Sequence, residues 1–85
     1  MKAIELLSID FSKYKRVLIN SVIVYPTKIV AVTEDDLNRI SVIGYKGNEE
    51  IFFTSYSKEE SIEIVNNKEV GLISIRKGEG RDETN

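Results

Sequence analysis

Residues 39–56 read RISVIGYKGNEEIFFTSY, and this stretch sets the class of the whole chain. Arg39 to Tyr45 and Glu49 to Tyr56 are two runs rich in β-branched and aromatic side chains, separated by Lys46-Gly47-Asn48. Gly and Asn tolerate positive φ, which tight hairpin loops require. The stretch predicts an antiparallel hairpin.

The same bias runs through the rest of the chain. Twelve Ile and eight Val stand against five Leu and two Ala. Side chains branched at Cβ pack well on a pleated surface and lose rotamer freedom in a helix. Lys15 to Tyr25 places Val17, Ile19, Ile23 and Tyr25 on one face and Leu18, Val22 and Val24 on the other. The polar pair Asn20-Ser21 in its middle predicts a bulge or a sharp bend. Pro26 cannot donate to a ladder, so it marks an edge or the start of the next strand. Lys28 to Thr33 is apolar on both faces and predicts a strand buried on both sides. Val70 to Arg76 reads as the last strand.

Two segments fit more than one period. Lys2 to Ile9 suits a strand, while Ile4, Leu7 and Phe11 would also line one helical face. In Ser57 to Asn67, Ser57 followed by Glu60 resembles a capping box. Ile62 and Ile64, however, alternate with polar residues at strand period. A loop Asn66-Asn67-Lys68 would set Ile64 opposite Val70 and Ile62 opposite Leu72, with all four on one face. The strand is the preferred reading, and a short helix at about 57–67 is the alternative.

Together these segments predict a mainly β domain of six or seven short strands, a meander or an OB- or SH3-like barrel. Eighty-five residues make one domain, expected to span residues 1–77. Residues 78–85 carry no apolar side chain and are expected to form a flexible polar tail.

Composition narrows the chemistry. The chain has no Cys, which removes disulfides, thiolate nucleophiles and cysteine-ligated metals. It has no His, the side chain best suited to moving protons near neutral pH and the commonest metal ligand. Trp and Gln are also absent, and Lys and Glu dominate the charges. This thermophile-like composition fits a hot environment, and an AT-rich genome gives much the same bias. No apolar run approaches the roughly 18 residues of a membrane span. No secretory leader is apparent either, so a cytoplasmic protein is expected.

The net charge is −2, unevenly spread. Residues 1–33 hold five basic and two acidic side chains, whereas residues 34–69 hold four and nine. A chain divided in this way is no general binder of polyanions, although it can present a local basic face.

Lys13, Tyr14, Lys15 and Arg16 are such a candidate. Basic residues interleaved with an aromatic can follow a phosphate backbone and stack on bases. Packing of Tyr14 on the end of a barrel, with solvated charges around it, explains the same pattern. Glu34, Asp35, Asp36 and Asn38 offer oxygen ligands but lack the spacing and central Gly of a calcium loop, so they read as a solvated turn. The serines have no His to activate them, and no phosphate-binding glycine loop is present. No enzyme activity, cofactor, metal or small-molecule substrate is expected. In the second hairpin strand, Phe52, Thr54 and Tyr56 would share one face, and an outward stripe of this kind suits a protein interface. The expected function is therefore a non-enzymatic interaction module, an accessory subunit of a larger complex or a homo-oligomer. The alternative is a barrel that binds single-stranded nucleic acid through residues 13–16.

Overall fold

A computed structural model describes residues 1–78. The described residues are mainly β, with seven strands in two sheets. They are β1 (Arg16–Ile19), β2 (Val22–Val24), β3 (Lys28–Glu34), β4 (Arg39–Lys46), β5 (Glu49–Ser57), β6 (Ile62–Asn67) and β7 (Leu72–Lys77). Three short 3-10 helices cover Ala3–Ser8, Phe11–Lys13 and Asp35–Leu37. One sheet has the order β2-β1-β7-β6 and the other β3-β4-β5. The three-stranded sheet is a meander. The four-stranded sheet departs from a meander because β1 pairs with β7 in parallel, joining the two ends of the domain.

Asn20 and Ser21 do more than bend a strand. Both take positive φ, 49° and 68°, and Ile19 pairs directly with Val22. This is a two-residue primed turn, whose twist matches that of the flanking strands. The expected single strand over residues 15–25 is therefore a hairpin of two short ones.

The N-terminal segment is a correction of a different kind. Lys2 makes one antiparallel bridge to Ser61, and the chain then winds into the 3-10 helix Ala3–Ser8. The Glu5 carboxylate accepts the Lys2 backbone N–H at 3.0 Å, which favours the turn over a continued strand. Ala3 and Leu6 are buried, while Ile4 and Leu7 lie exposed.

β6 confirms strand over helix for residues 62–67, and Ser57–Glu60 closes as a turn before it. The register differs from the expected one. Ile64 faces Ile75, and Asn67 faces Leu72. The loop is Lys68-Glu69-Val70-Gly71, so β7 begins two residues later than Val70. The reason lies in Gly71, which supplies the left-handed position at φ 66°, and in the Asn67 side chain, which accepts the Glu69 N–H at 3.1 Å. β3 is also not buried on both sides. It is an edge strand with Val32 and Thr33 exposed, and β4 takes the central place.

One apolar cluster joins the two sheets. Val17, Ile19, Ile62, Ile73 and Ile75 come from the four-stranded sheet, and Ile40, Val42 and Tyr56 from the three-stranded one. Ala3, Leu6, Phe11 and Tyr14 complete the cluster from the N-terminal segment. Gly78, the last described residue, donates its N–H to the Ser61 carbonyl at 2.8 Å. The rest of the expected tail, residues 79–85, lies outside the described residues.

The primed turn gives a direct test. Ser21 has a Cβ in a left-handed conformation that glycine adopts without cost. Ser21→Gly should stabilise the domain by about 0.5–1 kcal/mol, read as a rise in urea midpoint at unchanged slope. An unchanged or lower midpoint would contradict the turn geometry.

Candidate protein-interaction surface

The basic–aromatic segment is bound into the fold. Tyr14 is only 7% exposed and packs in the core. The backbone N–H groups of Lys15 and Arg16 both donate to the Gly71 carbonyl, at 2.9 and 3.0 Å. The Arg16 guanidinium donates to the Val70 carbonyl. Lys13 and Lys15 remain exposed. The structure therefore separates the four residues, keeping two solvated cations and taking away the stacking ring.

Two small clefts adjoin this segment. One, of about 370 Å³, lies between Phe11, Tyr14 and Lys15 on one side and Pro26, Lys28 and Ile29 on the other. The hydroxyls of Ser12 and Thr27, which line it, already have partners. Ser12 Oγ donates to Asp10 at 2.6 Å, while Thr27 Oγ1 donates to the Tyr45 carbonyl and accepts the Gly47 N–H. The other cleft, of about 260 Å³, includes Asp10, Lys13 and Lys68. Hydrogen bonds from Ser12 hold the Asp10 carboxyl below its ordinary value, helped by Lys13 and Lys68. That carboxylate offsets part of the local positive charge.

The acidic turn is also occupied. Asp35 pairs with Lys58 at 2.6 Å, and Asn38 takes the left-handed position at φ 54°.

The expected stripe Phe52, Thr54 and Tyr56 faces inward. Tyr56 is 2% exposed in the core, and Phe52 packs against the core with its ring over Gly44. The cause is a β-bulge. From the pairing of Lys46 with Glu49, an unbroken ladder would set Ile43 opposite Phe52. The ladder instead shifts between Gly44 and Tyr45, where Ile51 is the extra residue. Beyond it Gly44 faces Phe52 and Ile43 faces Phe53, so the faces of β5 are exchanged. Burial lifts the Tyr56 hydroxyl above its ordinary pKa. A loose approach to Thr54 offsets part of this without making a hydrogen bond of normal geometry.

The outward residues of the three-stranded sheet follow from its register. Val30, Ile43 and Phe53 form an unbroken apolar row across all three strands, with Phe53 54% exposed. One row away, Lys28, Tyr45 and Glu50 stand side by side. On the other side the next row is Val32, Ser41 and Ser55, with Val32 exposed and the polar groups tied together. Arg39 Nε donates to Ser55 Oγ at 2.7 Å, and Ser41 Oγ donates to Glu34 at 2.7 Å. Sequence alternation alone missed Phe53, because the one-residue bulge leaves no distinct mark in residues 49–56.

The four-stranded sheet has an outer row too, Ile23, Leu18, Ser74 and Val65. Ser74 interrupts it, and the Arg76–Glu63 ion pair at 2.7 Å lies beside it. The three-stranded face is the more continuous apolar surface.

No protein-family model matches the chain, and comparisons with curated proteins and with solved structures give no significant match. Among the described residues, no helix is long and apolar enough to cross a membrane.

A ring that stacks on bases can be removed without unfolding the protein, whereas a core ring cannot. Tyr14→Ala should cost about 3–5 kcal/mol, the range for losing a buried aromatic side chain. Denaturant unfolding reads this directly, and a loss below about 1 kcal/mol would return Tyr14 to the surface.

Proposed function

We propose that this chain is a non-enzymatic interaction module that binds protein through the outer face of its three-stranded sheet. The observation that carries the reading is the apolar row Val30, Ile43 and Phe53, which crosses all three strands and leaves the Phe53 ring 54% exposed. Aromatic residues are enriched at the centres of protein interfaces, where burying them contributes most. Exposed apolar rows rimmed by charge mark contact sites more often than chance. Lys28 and Glu50 supply that rim.

The clefts support this reading from the other side. Beside residues 11–15, the Ser12 and Thr27 hydroxyls and the Asp10 carboxylate are hydrogen-bonded within the chain, and the remaining charged groups lining the clefts are lysines. The nucleic-acid alternative must rely on Lys13, Lys15 and their neighbours without Tyr14, whose ring lies in the core. Such binding would weaken steeply with salt as counterions are released.

Photo-crosslinking tests the face itself. With benzoylphenylalanine in place of Phe53, irradiation in native extract and in purified protein at high concentration should give a discrete adduct with a second polypeptide. The same probe at Leu37, exposed on the acidic turn, should give none. Equal yields at the two positions, or no adduct at Phe53, would reject the face as an interface.

A further inference from the structure

Taking the outer face of the three-stranded sheet as the interface, we infer that its partner is a second copy of this chain, packed face to face about a two-fold axis along β4. The face is complementary to itself under that rotation. A two-fold lying between the faces and parallel to β4 carries β3 of one protomer over β5 of the other, with the same strand ends together. Its consequences can be read from the register. Lys28 of one protomer lies over Glu50 of the other, and the contact occurs twice. Val30 lies over Phe53, also twice, and Ile43 and Tyr45 each meet their own copies near the axis.

Charge complementarity is what selects this occupant. Lys28 and Glu50 occupy opposite edges of one row, separated by Tyr45. Both are exposed, and among the described residues neither takes part in an ion pair. Two strand spacings of about 4.8 Å set them near 10 Å apart within one chain with Tyr45 between them, and no ion pair joins them there. The rotation brings each within reach of an opposite charge. An isologous interface needs this pattern, in which a residue meets its complement and the complement meets it in return. Stacked sheets settle with strands about 30° apart, and the long Lys and Glu side chains span the resulting offset.

The size of the face sets the strength. Three strands of seven or so residues cover about 14 by 24 Å, on the order of 350 Å² in projection. Stable interfaces bury about 800 Å² on each side, so this dimer is weak and exchanges quickly. Its dissociation constant belongs between about 10 µM and 1 mM.

Sedimentation equilibrium up to about 1 mM protein tests the inference. The parent chain should approach a dimer over this range. Phe53→Asp should be monomeric throughout with an unchanged circular dichroism spectrum. Lys28→Glu and Glu50→Lys should each weaken the dimer about tenfold, because the two-fold turns two attractions into two repulsions. The double exchange K28E/E50K should bring the constant back to within about threefold of the parent value. Rescue of this kind separates a contact across the interface from a structural effect within one chain. A parent chain still monomeric at the highest concentration would overturn the inference, and so would a dimer indifferent to the charge exchange. In either case, an adduct at position 53 with a different polypeptide would leave the reading of the face intact.

Discussion

The apolar layer shared by the two sheets is the constraint on which the domain depends. Val17, Ile19, Ile73 and Ile75 on one side, with Ile40, Val42 and Tyr56 on the other, belong to a single cluster. A chain of 85 residues buries only a modest core, and this one layer holds it. The N-terminal segment serves the same layer, with Ala3, Leu6, Phe11 and Tyr14 all buried in it. This explains why the most basic stretch of the chain is not free to act as a unit: its one ring is a core residue.

How the layer closes depends on the chain ends. Parallel pairing of β1 with β7 joins residues 16–19 to residues 72–75, and the Gly71 carbonyl receives two N–H groups from Lys15 and Arg16. Parallel neighbours need a long connection between them, and here the whole three-stranded sheet lies within it. Contacts so distant in sequence are slow to form, so the β4–β5 hairpin, the most local pairing of long strands, is suited to form early.

Much of this architecture was legible in the residues. The excess of Ile and Val, the turn at Gly47-Asn48, and alternation at Ile62 and Ile64 led to strands where strands occur. Period alone did not distinguish a bend from a full reversal at Asn20-Ser21, since that depends on φ rather than polarity. It also did not reveal the 3-10 helix at Ala3–Ser8, which rests on side-chain hydrogen bonds of Glu5 and Ser8 and on docking against residues 58–62. The candidate surface shows the limit most clearly. Phe52 and Phe53 are adjacent, so one must face each way. Which one faces inward was settled by a single extra residue at Ile51, and by the open space over Gly44 that receives the Phe52 ring. A one-residue shift exchanges every side chain between core and solvent. The outward apolar row of this sheet is Phe53 with Ile43 and Val30, while Phe52, Thr54 and Tyr56 face inward.

The claim at the centre is that the three-stranded sheet presents a face meant for another protein surface, and that the chain itself supplies one. Amide chemical shifts followed on dilution, from about 1 mM to 20 µM, test this at the level of single residues. Concentration-dependent shifts should cluster at Val30, Ile43, Tyr45 and Phe53 and follow one binding curve, with Leu18 and Val65 on the opposite sheet unmoved. Shifts that cluster on Leu18 and Val65 instead, or a spectrum identical at both ends of the range, would contradict it.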